Sequence, residues 1–129
     1  MGKIERFEDI SAWQKARELV KNVYGVCGVE SYRKDYSLID QTRRAGISIM
    51  ANIAEGFARR TNKDFINFLG IAHASAAELQ SHLYVALDQN YISDTDFNSL
   101  YKMAEETSKL IQGFINYLRK SKRVKELPS

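Results

Sequence analysis

The chain has 129 residues, 44% hydrophobic and 27% charged, which suits one packed domain and excludes a chain disordered throughout. No apolar run approaches the length of a membrane span, and Cys27, the only cysteine, excludes an internal disulfide and a cysteine-based zinc site. Net charge is +3, and five of the 19 basic groups fall between residues 119 and 125; Glu126 is the sixteenth acid, so residues 1–118 hold 14 basic groups against 15 acidic ones.

The first residues, MGKIERFEDISAW, mix charges and lack the apolar segment of a signal peptide. No Ser or Thr follows Gly2 at the position a myristoylation motif requires. A cytoplasmic protein is the expectation. The first predicted helix runs from about Asp9 or Ser11 to Cys27, because Trp13, Ala16, Val20, Val23 and Cys27 recur at spacings of three and four. Gly25 and Gly28 lie where such a helix closes. The polar segment Glu30–Tyr36 reads as a loop.

The second predicted helix spans about Ser37 to Arg60. Ile49, Ile53, Phe57, Met50 and Ala54 fill one arc, with Ile47 and Ala51 beside it, a width that points to burial on more than one side. Thr61 or Asn62 suits the cap of a third helix, with Asp64 in its first turn. Its stripe of Phe65, Phe68, Leu69, Ala72, Ala76, Leu79, Leu83, Ala86 and Leu87 is the strongest periodic signal in the chain, and Asn90 reads as its stop. Ser93 or Asp94 caps a fourth helix, in which Phe97, Leu100, Tyr101, Ala104, Ser108, Ile111, Ile115 and Leu118 keep the helical period. Met103, Leu110, Phe114 and Tyr117 widen that face. No strand pattern occurs, and the only proline, Pro128, interrupts nothing.

Four such helices joined by short connections predict an all-α protein, an antiparallel up-down-up-down four-helix bundle with no sheet. The bundle domain is assigned to residues 1–118 and a basic tail to 119–129. The surplus apolar surface of the second and fourth helices predicts self-association. The tail (Arg119, Lys120, Lys122, Arg123, Lys125) has two readings: a solvated terminus, or a contact for an anionic polymer.

One stretch, RRAGISIMANIAEGFARR, raises the question of function. On a helix, Arg44, Ser48, Asn52, Glu55 and Arg59 fall within an arc of about 80°. Three readings compete. The strip could be structural: Glu55 and Arg59 form an ion pair, Asn52 bonds across to a neighbouring helix, and Gly56 admits that helix closely. Buried in an oligomer, Ser48, Asn52, Glu55 and Gly56 would then set register and partner. It could instead be a nucleic-acid surface, with Arg43, Arg44, Arg59 and Arg60 on phosphates, although Glu55 at its centre would repel them. A catalytic reading finds Ser48 but no nucleophile–base pair.

Other candidate sites fail simple tests. His73 and His82 lie nine residues apart on opposite faces of one helix and cannot share a metal. Glu78 and His82, four apart, suit a pair with each other. A di-iron bundle needs Glu-x-x-His on two helices, and no Gly-rich phosphate loop occurs. Trp13 and the seven tyrosines read mostly as packing residues. No cofactor is expected.

With these residues in view, the chain resembles a known family. Phe7-Glu8-Asp9-Ile10-Ser11-Ala12-Trp13-Gln14-Lys15-Ala16 is similar to the opening motif of the 23S rRNA-intervening-sequence proteins. Gln41-Thr42-Arg43-Arg44-Ala45, Ser48-Ile49 and Asn52-Ile53-Ala54-Glu55-Gly56 resemble that family's central signature. Phe68-Leu69-Gly70-Ile71-Ala72, Ser75, Glu78-Leu79 and Tyr91-Ile92 resemble its third-helix region. Met50 stands where the family often has proline, so the second helix is expected to be straighter here. The resemblance implies a bacterial cytosolic four-helix bundle that assembles as a ring-like homo-pentamer, some members being encoded within segments that interrupt 23S rRNA genes. Similar proteins serve as accessory subunits of diversity-generating retroelements, where they contact a reverse transcriptase and nucleic acid.

The expectation is therefore a non-enzymatic homo-oligomer that binds structured RNA or DNA weakly, mainly through the backbone. Its donors would be the tail together with Arg43, Arg44, Arg59 and Arg60 where these are exposed. The alternative is a scaffold that docks a protein partner, with no direct contact to nucleic acid.

Overall fold

Three side chains start three of the four long helices. In the computed structural model, which describes residues 3–121, the Asp35 carboxylate accepts from the Leu38 N–H, Thr61 Oγ1 from the Asp64 N–H and Ser93 Oγ from the Asp96 N–H. Each satisfies a backbone donor that a helix start leaves open. The helices are α1 (Ser11–Cys27), α2 (Glu30–Arg33), α3 (Tyr36–Ala58), α4 (Asn62–Asp88) and α5 (Asp94–Lys120). A single 3-10 turn over Phe7–Asp9 precedes them, and the described residues contain no strand.

The all-α four-helix bundle holds. α1 packs against α3 and α5, and α4 packs against α3 and α5, with α3–α4 the most extensive contact. Short connections between successive long helices give the up-down-up-down course. One core runs through it, built from Leu19 and Val23 on α1, Ile49 and Ile53 on α3, Phe65, Leu69, Leu79 and Leu83 on α4, and Ile111, Ile115 and Leu118 on α5. Asn90 ends α4 as expected. It takes a left-handed φ of 62°, while the Tyr91 N–H bonds to the Ala86 carbonyl and the Asn90 N–H to the Leu87 carbonyl. This is the double bond of a Schellman closure, with asparagine in place of glycine.

Two features depart from the sequence expectation. The segment expected as a loop, Glu30–Tyr36, contains the helical turn α2. Its anchor is Tyr32, 1% exposed and stacked on Tyr91 with ring centroids 5.3 Å apart. Thr42 Oγ1 donates to the Leu38 carbonyl at 2.6 Å, so the Tyr32 hydroxyl is the donor in its 3.2 Å bond to Thr42 Oγ1. A polar run folds because its one aromatic residue is sealed into the core. Second, α3 stops at Ala58, short of Arg60, because Arg59 is extended at its C-cap. α5 ends at Lys120, around the start of the basic run, where the sequence places the end of the fourth helix.

The α3–α4 contact depends on a missing side chain. A Cβ on Gly56 would lie 2.8 Å from Phe65 Cδ1 and 2.9 Å from Phe68 Cβ. Phe65 in turn meets Phe57 at 6.1 Å and Phe114 at 5.2 Å between ring centroids, edge-to-face contacts that join α3, α4 and α5. Gly70, also inside a helix, has no atom within 4 Å of where its Cβ would lie. The two glycines should therefore respond oppositely to alanine. Gly56→Ala is expected to destabilise by about 1–3 kcal/mol through overpacking, and Gly70→Ala to stabilise by about 0.5–1 kcal/mol through helix propensity. Urea unfolding at one fixed protein concentration measures both.

Candidate nucleic-acid interface

Asn62 opens α4 and reaches across to the end of α5. Its Nδ2 donates to the Ser121 carbonyl at 2.6 Å and to the Leu118 carbonyl at 3.4 Å, two of the carbonyls that a helix end leaves without partners. This bond sets the α3–α4 turn beside the end of α5. Arg59 and Arg60 in the turn, Lys63 in the first turn of α4, and Arg119 and Lys120 at the end of α5 thus share one end of the bundle. All five are exposed. Two carboxylates accompany them, the exposed Glu55 and Asp64. Glu55 Oε2 pairs with Arg59 Nη2 at 2.9 Å, and the Arg59 guanidinium lies 4.7 Å from the Phe68 ring centroid, which holds it flat against an aromatic face. Lys122, Arg123 and Lys125 lie outside the described residues.

The other two nominated arginines are elsewhere. Arg43 precedes Arg59 by sixteen residues on α3, about 24 Å along the axis. It is half-buried, with its guanidinium 4.6 Å from the Tyr24 ring centroid. Arg44 is exposed, and its Nε donates to Asp40 Oδ2 at 2.8 Å. The four arginines therefore do not form one surface. The contributions of Asp40, Tyr24 and Lys63 were missed in the sequence. Only Asp40, four residues before Arg44, carried a local signal.

The polar strip between them is hydrogen-bonded within the protomer. Ser48 Oγ meets Ser75 Oγ of α4 at 2.8 Å. Asn52 Nδ2 donates to the Ser48 carbonyl at 2.8 Å and to Ser48 Oγ at 3.0 Å. The crossing to the neighbouring helix is made by Ser48, where the sequence reading had Asn52 making it. Ser48 has a serine and an amide for partners, and neither is a base. His82 Nε2 stands 3.6 Å from Glu78 Oε2, and no group of three metal-ligating side chains occurs among the described residues. No helix there is long and apolar enough to cross a membrane.

At the opposite end, the buried Cys27 lies in a polar knot with Tyr32, Thr42 and Arg43. Burial pushes the Cys27 thiol above its ordinary value, and Tyr32 and Arg43 partly offset it. Burial also drives the Tyr32 phenol up. Tyr91 donates to Asp35 Oδ2 at 3.1 Å, and desolvation followed by that carboxylate raises its phenol.

These geometries define a class: a helical bundle with one cationic end and with its polar strip satisfied internally. The family described as 23S rRNA-intervening sequence protein matches residues 8–113, and this chain belongs to it. A solved protein of unknown function from the S23 ribosomal protein family of Bacteroides thetaiotaomicron VPI-5482 is 29% identical, with a TM-score of 0.74. The match covers 81% of this chain and 97% of that one. Among curated proteins, none matches. Arg119 and Lys120 lie beyond the matched family segment.

The polar knot sets a pH dependence. The ordinary values are 9.0 for the Cys27 thiol and 10.0 for the Tyr32 phenol. Below them both groups are neutral in the folded and unfolded chains, so their contribution is constant. Above them the unfolded chain ionises first and binds fewer protons, so stability falls as pH rises. Unfolding free energy should be flat from neutral pH to about 9 and then decline. Cys27→Ala should move the onset toward about 10, the tyrosine range; urea midpoints across the alkaline range measure it.

Proposed function

We propose that this protein is a non-enzymatic, homo-oligomeric bundle that holds structured RNA or DNA by its phosphate backbone. The contact is the end of the bundle where α3, α4 and α5 meet. The observation that carries the reading is the Asn62 bridge, which gathers Arg59, Arg60, Lys63, Arg119 and Lys120. Phosphate contacts of this kind fix position without reading sequence. The basic residues of the tail, Lys122, Arg123 and Lys125, continue from the same end in the chain and extend the run. One protomer offers a small, salt-sensitive contact. A ring of copies, of the pentameric kind that the family resemblance implies, multiplies it through effective concentration. Ile47, Ile71 and Val85 support self-association, since they leave 45%, 49% and 44% of their surface exposed on α3 and α4. A cytoplasmic location and descent from a bacterial gene go with this reading. The description of the family ties it to rRNA, which supports nucleic acid as the polymer.

A second reading rests on the same apolar side chains. If they receive a protein, such as a reverse transcriptase, the molecule is an accessory scaffold and the basic end is a solubility element. Salt separates the two, because backbone binding releases counterions and weakens steeply as salt rises, whereas apolar docking does not.

The test is fluorescence anisotropy of the full chain against a labelled RNA hairpin and an unrelated DNA duplex, at low and at physiological salt. Binding is expected to ignore sequence and fade with salt. Arg60→Ala combined with Arg119→Ala and Lys120→Ala should reduce affinity about tenfold or more at low salt and flatten the salt slope by about 3. Arg44→Ala should leave both unchanged, because Asp40 already holds that guanidinium. Absence of binding at low salt, or an equal loss in Arg44→Ala, rejects the proposed surface.

A further inference from the structure

A concavity lies between the N-terminal segment and α5, toward the end of the bundle where α3 turns into α4, since Phe114 in its wall meets Phe65. It is a cleft of about 460 Å³ whose walls include Lys3, Ile4, Ile10, Lys109, Leu110 and Phe114. That volume is in the range of small-molecule sites. Its floor is apolar: Ile10 and Phe114 are buried against the core, Ile4 is partly buried, and Leu110 keeps 40% of its surface exposed. Such a surface gains free energy when an apolar body displaces water from it.

The rim is cationic. Lys3 and Lys109 stand at the cleft with one acid, Asp9. Asp9 is already engaged, its Oδ2 accepting the Glu5 and Arg6 N–H groups at 3.0 and 3.2 Å. Lys3 faces Glu5 at 3.5 Å in a largely exposed pair, which water screens. No carboxylate of the described residues pairs with Lys109. The nearby Glu106 is paired with Lys15 at 3.2 Å, so an anionic head group meets an ammonium at the mouth that no carboxylate of the described residues neutralises.

Gly113 makes the room. It lines the cleft in the interior of α5, and no atom lies within 4 Å of where its Cβ would sit. Glycine inside a helix is less stable than alanine by about 1 kcal/mol. Gly56 has a packing reason within the chain, and Gly113 has none. What its missing side chain leaves is open volume against Phe114 and Leu110.

We infer that this cleft is a binding site for an amphiphilic monoanion, a ligand with an apolar chain or ring for the floor and one carboxylate-like group for Lys109. Titration of octanoate into the 15N-labelled full chain, below its micellar range, tests this by amide chemical shifts. Saturable shifts are expected at residues 9–12 and 109–114. Octyltrimethylammonium, with the same chain and the opposite charge, should bind at least tenfold more weakly. Gly113→Leu fills the cleft, and its thermal midpoint should match or exceed that of the parent chain, since leucine favours the helix; octanoate affinity should fall at least tenfold. Lys109→Glu should invert the preference between the two amphiphiles. Shifts that are scattered or do not saturate, equal binding of both amphiphiles, or unchanged octanoate binding by folded Gly113→Leu would each overturn the assignment.

Discussion

The absence of a side chain at Gly56 lets α3 and α4 close on each other, and the basic end of the molecule follows from that approach. With Phe65 and Phe68 seated over bare backbone, the chain leaves α3 at Ala58 and begins α4 at Asn62. That places Asn62 within reach of the last carbonyls of α5. The aromatic contacts of Phe65 with Phe57 and Phe114 carry the same constraint into the third helix. A residue with no side chain thus sets where five cationic ones stand.

The polar strip on α3 has a different part. Ser48, Ser75 and Asn52 satisfy one another, so a half-buried seam between α3 and α4 carries hydroxyl and amide groups without leaving them unpaired. The exposed Glu55–Arg59 pair adds little stability. What it adds is direction, since it holds the guanidinium over Phe68 at the edge of the cationic end. The structural reading of the strip holds at Ser48 and Asn52, which are hydrogen-bonded packing, and only its last residue, Arg59, belongs to the proposed contact.

Much of the fold was legible because its signals are local. The caps at Thr61 and Ser93, the stop at Asn90 and the stripe from Phe65 to Ala86 each depend on neighbours within a turn or two. α2 was illegible because Tyr32 is held by Tyr91, 59 residues away, and by a hydroxyl on the next helix. The same distinction governs the site. Glu55 and Arg59 are four apart and their pairing was readable. Arg43 lies beside Arg44 in sequence, yet Tyr24 holds one and Asp40 the other. Asn62 was readable as a helix cap, whereas its bond to Ser121 spans 59 positions and no periodicity encodes it.

The Asn62 bridge also gives the molecule a mechanical property. Under a pull on the end of α5, a free helix end would unravel residue by residue. Here the pull is shared with the α3–α4 turn through the Asn62 side chain, close to the rings that Gly56 admits. Tension there is shared between the Asn62 amide and the buried Phe114, Ile115 and Leu118 that seat the end of α5 in the core.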